Sequence, residues 1–97
     1  MKTGIELIAE ERQRQIEKEG WTPEHDDQHN TGDLALAAAA YASAELYRRT
    51  TPEGYDNMPH IFPFEREWWK PTPNDRIREL QKAGALIAAE IDRLQRL

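Results

Sequence analysis

Residues 72–96 read TPNDRIRELQKAGALIAAEIDRLQR. Ile77, Leu80, Gly84, Ile87, Ala88, Ile91 and Leu94 recur there at spacings of three and four, which line one side of a 3.6-residue turn. The stretch therefore predicts an amphipathic helix over 73–96. Its start is marked chemically, with Thr72 as cap, Pro73 at the first helical position, where a missing N–H costs nothing, and Asp75 at the third. Gly84 and Ala88 lie one turn apart and form a smooth groove, suited to a close crossing with another helix of small residues.

Working outward, two more helices are expected. Residues 31–49 contain the run Ala37 to Ala40, and alanine has the highest helix propensity. Asn30 or Thr31 can cap this segment, with Asp33 in its first turn. The face Leu34, Ala38, Tyr41, Glu45 and Arg48 mixes apolar and ionisable groups. Residues 3–19 form the first helix, opened by Thr3 with Glu6 three residues on and closed by Gly20. Between the helices lie a polar linker at 20–30 and a long loop at 50–72. That loop carries Pro52, Pro59, Pro63 and Pro71, which remove backbone donors and bias their predecessors away from helix. It also carries Tyr55, Phe62, Phe64, Trp68 and Trp69, so it must pack on something. The reading is an all-α domain: a small bundle of three main helices with a long proline- and aromatic-rich loop between the second and third.

The chain has 97 residues, which bounds it to one domain with a thin core. Self-association is the expected remedy, as a homo-oligomer of two or more copies. Net charge is −5, which argues against binding a bulk nucleic-acid backbone. A basic pocket inside an acidic shell is still compatible with that charge. Without cysteine, thiol catalysis and thiolate metal sites are excluded. No apolar run approaches the ~18 residues a membrane helix needs, and the charged start does not resemble a signal peptide. A cytoplasmic location is expected. Phosphate-cradling glycine loops are absent, and Ser43, the only serine, is embedded in the alanine helix, so a serine hydrolase is not expected.

Polar intrusions into apolar surroundings carry the functional signal. On the first helix Arg12 falls among Ile5, Ile8, Ala9 and Ile16, with Glu19 on the same stripe. Desolvating a guanidinium costs several kcal/mol unless it is paired. Arg12 is therefore either in a buried pair with Glu45 or Glu19, or waits for an anionic ligand, which its fork suits. Arg14 points outward near Leu7. The segment His25-Asp26-Asp27-Gln28-His29 is the densest group of potential metal ligands. It reads as a helix-start signal with surface histidines, as a metal site, or as direct hydrogen bonding to a ligand. Trp21, Trp68 and Trp69 either fill the core or a subunit seam, or stack on a base with Lys70 beside a phosphate.

The strings E-R-x-R-Q at 11–15, E-G-W-T-P-E-H-D-D at 19–27, G-D-L-A at 32–35, Y-A at 41–42, W-W-K-P at 68–71 and K-A-G-A-L-I-x-A-E-I-x-R-L at 82–94 span nearly the whole chain. Together they resemble a family of short helical proteins encoded by bacteriophages and prophages. More distantly, the order of segments is similar to the MazG-like all-α nucleotide pyrophosphohydrolases. That superfamily forms tight helical dimers and cleaves nucleoside triphosphates with Mg²⁺ held by an E-E-x-x-E helix and an E-x-x-D helix. Here Glu10-Glu11 is followed by Arg14 where the third glutamate belongs. The E-x-x-D strings Glu24 to Asp27 and Glu53 to Asp56 fall in loops. The second helix offers only Glu45, and Glu90 and Asp92 do not share a face. Two-metal catalysis needs several convergent carboxylates, so the superfamily's metal ligands are not carried over.

The leading expectation is a phage-type accessory protein that binds or sequesters a small phosphorylated nucleotide without converting it, countering nucleotide-signalled defence in the host cytoplasm. Arg12 and Lys70 would meet phosphate, Trp21 and Trp69 would stack on the base, and His25 with Asp26 would select sugar or base edges, with no cofactor required. The first alternative is a divergent Mg²⁺-dependent pyrophosphohydrolase using Glu11, Asp26, Asp27 and Glu45. The second is a protein inhibitor of a host factor, acting through the tryptophan loop.

Overall fold

The first helix forms where its caps place it. Thr3 N donates to Glu6 Oε1 at 2.9 Å and Glu6 N donates to Thr3 Oγ1 at 3.2 Å, so two orphan donors are satisfied reciprocally. Gly20 closes the helix at φ 73°, a left-handed conformation that suits glycine. In this computed structural model, which describes residues 1–50 and 58–97, α1 spans Gly4–Glu19, α2 Pro23–Asp26, α3 Asp33–Thr50 and α4 Arg76–Gln95. A single 3-10 turn covers Arg66–Trp68, and no strand occurs among the described residues. No described helix is long and apolar enough to cross a membrane. Tyr55 and the Glu53 to Asp56 string lie outside the described residues.

Three boundaries differ from expectation, the first being α3, which begins at Asp33 rather than at 31, so neither Asn30 nor Thr31 directly precedes it. The linker at 20–30 contains α2, capped by Thr22 Oγ1, which accepts from His25 N at 3.3 Å, with Pro23 at the first position. The Thr-Pro pair is a helix-start signal in its own right. At the other end α4 begins three residues later than expected. Asp75 is its cap, with Oδ1 accepting from Arg78 N at 3.1 Å, and Thr72 and Pro73 sit in the preceding turn.

The main core is where α3 lies along α4. Leu34, Ala37, Ala38, Ala40 and Tyr41 of α3 cluster with Ala83, Leu86 and Ala89 of α4, and Trp21 and Phe62 close the cluster. Of the twelve buried hydrophobic residues among those described, seven are alanine, which lets the axes approach but leaves little large apolar volume inside. On α4 this face is rotated from the aliphatic stripe: Ile77, Leu80, Ile87, Ile91 and Leu94 are each 47–63% exposed. The periodicity correctly marked an apolar face but not which neighbour covers it. The same holds on α1. Ile5 and Ala9 are exposed, while Glu11 and Gln15 are buried.

Gly84 serves α1 rather than the alanine helix. A Cβ at this position would stand 2.5 Å from Ile8 Cδ1, so the missing side chain is what seats Ile8 against α4. Gln81 Nε2 donates to Leu7 O at 3.2 Å beside it. The polar residues turned into the bundle are paired. Glu79 meets Arg48 of α3, Arg76 at 3.2 Å and the backbone N–H of Thr72 at 3.0 Å. Arg76 also donates to the α3 carbonyls of Tyr41, at 3.0 Å, and Ala42. Arg48 is thus the polar intrusion anticipated on α3, whereas Glu45 is exposed.

Candidate functional site

The site begins with the chain's exit from α1. Gly20 turns the backbone and Trp21 N donates to Gln15 O at 3.0 Å, which fixes the indole against the bundle. Thr22 and Pro23 then start α2, and the turn after it, in which His29 N donates to Asp26 O at 3.0 Å, brings His25 and His29 side by side. Trp21 and His25 are stacked at 5.7 Å and 15°, and His25 and His29 have ring centroids 4.8 Å apart. Across from them stand Phe64, 5.0 Å from His29 and edge-on, and Trp68, 6.5 Å from Trp21. These five rings line a cleft of about 130 Å³. Lys70 Nζ lies 5.7 Å from the centre of the Trp68 ring.

Arg12 and Asp26 hold this wall from behind. Arg12 donates to Asp26 Oδ2 at 2.8 Å and to Trp21 O at 3.1 Å. Asp26 is fully buried, and its other oxygen lies 3.3 Å from His25 Nδ1. The expected inward guanidinium therefore exists, but its partner is Asp26 rather than Glu45 or Glu19, and it positions the cleft from beneath. Arg96 braces α2 from the far end of the chain, donating to Asp27 Oδ1 at 2.6 Å and to Pro23 O at 3.2 Å.

Behind Trp21 and Trp68 lies a second, polar cleft between α1 and α4. Arg14 forks onto Glu11 at 2.8 and 2.9 Å, and Arg78 reaches the same carboxylate. Burial pushes Glu11 toward its neutral form, but the Arg14 hydrogen bond and the charges of Arg78 and Arg14 outweigh it, and its pKa is lowered. Tyr41 crosses the floor: its hydroxyl donates to Trp68 O at 3.3 Å and accepts from Lys70 N at 3.0 Å. Burial pushes the phenol up to about 12. Lys82 Nζ donates to Lys70 O at 2.6 Å, and burial, followed by the nearby charge of Arg78, lowers its pKa.

Of the residues singled out in the sequence, Trp21, His25 and Asp26 are brought together, with Lys70 beside the Trp68 wall. Trp69 is not in the cleft. It is stacked on Tyr41 at 4.7 Å and edge-on to Phe62 at 5.1 Å, so it anchors the aromatic segment to the core. The carboxylates Glu11, Asp26, Asp27 and Glu45 do not converge. Glu11 goes to Arg14 and Arg78, Asp26 to Arg12, Asp27 to Arg96, and Glu45 to Arg49 and Arg76. Among the described residues no three acidic, histidine or cysteine side chains form a cation site. His29 and Phe64 were not singled out individually. The i,i+4 spacing of His25 and His29, read with the Thr-Pro start, would have placed the two imidazoles on one face; nothing local marks Phe64.

Compared with family models, curated proteins and solved structures, the chain matches none. The functional reading therefore rests on the chemistry of the cleft: π faces for a planar ring, imidazole edges for hydrogen bonding, and a cation beside the Trp68 wall.

Proposed function

We propose that this protein binds a small phosphorylated nucleotide without converting it, as a phage-type accessory protein that sequesters a nucleotide signal in the host cytoplasm. The observation that carries this reading is the five-ring cleft, one of whose walls, Trp68, has Lys70 Nζ 5.7 Å from its ring centre. A base slides against Trp21 and Trp68, His25 and His29 offer donors and acceptors to its edge, and the phosphate leaves toward Lys70. The pyrophosphohydrolase alternative would need carboxylates free to converge on metal, whereas each of the four is paired with arginine. Titration calorimetry against linear and cyclic nucleotides is expected to give binding heat. Trp68→Ala should weaken it roughly 5- to 100-fold, the worth of one stacked ring. Trp68 is 40% exposed, so this variant keeps its fold. No heat with any nucleotide sinks the reading.

The protein acts, in this proposal, as a homo-oligomer joined through the aliphatic stripe of α4. Ile77, Leu80, Ile87, Ile91 and Leu94 are each about half exposed, and Ile5 of α1 is more exposed still, so this face lacks a cover. Contiguous exposed aliphatic faces of this kind mark interaction sites. The occupant is a second copy, because a core built largely of alanine needs a cover that is always present. Light scattering is expected to give at least twice the 11.3 kDa chain mass, with a melting temperature that rises with concentration. Ile91→Asp should lower both. An 11.3 kDa species whose melting is independent of concentration would remove the argument.

A further inference from the structure

The polar cleft contains a contact that stability does not explain. Glu19 is the last residue of α1, where the helix dipole disfavours an anion. Its carboxylate is nevertheless turned inward, only 16% exposed, and the same oxygen stands 3.4 Å from both Arg14 NH2 and Lys70 Nζ. Charge-assisted bonds usually close to about 2.7–2.9 Å, as Glu11 does on Arg14. Glu19 is held loosely, between two cations, at the mouth of a cleft it shares with Lys82.

We infer that this polar cleft is the phosphate subsite of the nucleotide ligand, and that Glu19 occupies it as an internal stand-in for the anion, displaced when the phosphate enters. The inference rests on the nucleotide reading of the aromatic cleft and extends it. Trp21 and Trp68 wall both clefts, so a base on one side leaves its phosphate one indole away from Arg14, Lys70 and Lys82. The free space in the polar cleft is about 20 Å³, room for a water and no more, until the Glu19 side chain swings out. The space it vacates already lies beside two cations. Lys82 is the third. Among the described residues its ammonium forms no ion pair with a carboxylate; it donates to Lys70 O and gains one negative partner when phosphate binds. Gln15 supplies an independent pointer. It is buried in the same cleft, its Nε2 donates to Glu11 at 3.1 Å, and its Oε1 has no hydrogen-bond partner among the described residues. A hydroxyl donor from the sugar or from a singly ionised phosphate fills that need.

The test separates the two clefts. Calorimetric titrations use the four nucleosides and their 5′-monophosphates on the full chain and on Glu19→Gln, which removes the charge, keeps the shape and sits at a helix end where neutrality is favoured. The expected result is that wild type prefers a monophosphate to its nucleoside, and that Glu19→Gln widens this preference by roughly three- to tenfold. Lys82→Met is expected to remove the preference. An unchanged or narrowed preference in a folded Glu19→Gln overturns the subsite even if the nucleosides bind. If no nucleoside binds, the nucleotide reading fails on its own, and inorganic phosphate tests the subsite separately by NMR. Shifts of the Arg14, Lys70 and Lys82 signals that saturate at lower phosphate in Glu19→Gln support it. Absence of such shifts in both proteins overturns it.

Discussion

Replacing Glu79 by alanine is expected to lower the free energy of unfolding by about 3–5 kcal/mol, measured by urea denaturation. The side chain is fully buried, and three donors from three places in the chain meet on it: Arg48 from α3, Arg76 from α4 and the backbone N–H of Thr72. Removing the carboxylate leaves those donors in a low-dielectric interior without the charge that compensates their desolvation. The loss is a larger fraction of total stability than in most domains, because the alanine core contributes modest hydrophobic burial. Glu79→Gln keeps the shape and the acceptor and should recover part of the loss. A change below about 1 kcal/mol for Glu79→Ala would mean that water reaches the site and screens the cluster.

Asp26→Ala is the second large effect, and it has two readouts. Stability should fall by about 3 kcal/mol, since Arg12 loses its counter-ion while its guanidinium remains largely shielded. Ligand affinity should fall by at least roughly tenfold, because the Trp21 and His25 wall is held by Arg12 and Asp26 from behind. The double variant Arg12→Met, Asp26→Leu distinguishes the two roles. It replaces the ion pair by apolar volume and should restore most of the stability. It should not restore the affinity, since neither new side chain can bond Trp21 O or His25. Full recovery of binding in the double variant would show that the pair only stabilises and does not position the cleft.

Local chemistry was legible wherever a few neighbouring residues decide the outcome. The Thr3–Glu6 capping box, the Gly20 stop and the helical alanine run were readable because capping and propensity act within one turn. The same logic, applied to Thr22-Pro23, would have revealed α2 and with it the pairing of His25 with His29. The aromatic segment was correctly expected to pack, but whether Trp68 or Trp69 faces the cleft depends on a 3-10 turn that rotates one indole outward and the other onto Tyr41. Glu19 was legible as an inward carboxylate on α1 but not its partners, and Lys82 gave no signal in sequence, because their meaning comes from the distance between α1, α4 and the 66–70 segment.

The sequence by itself determined that this chain is helical, where its three long helices lie to within a few residues, and that charged groups would be turned into an alanine-rich interior. Those properties follow from backbone hydrogen-bonding patterns and from periodicity, which are local. Only the tertiary structure decided which face of α4 meets α3, which carboxylate answers Arg12, and which rings close on one another. Each of those is a choice among partners far apart in the chain. It is settled by the summed cost of desolvating every charge at once, and no single segment contains that sum.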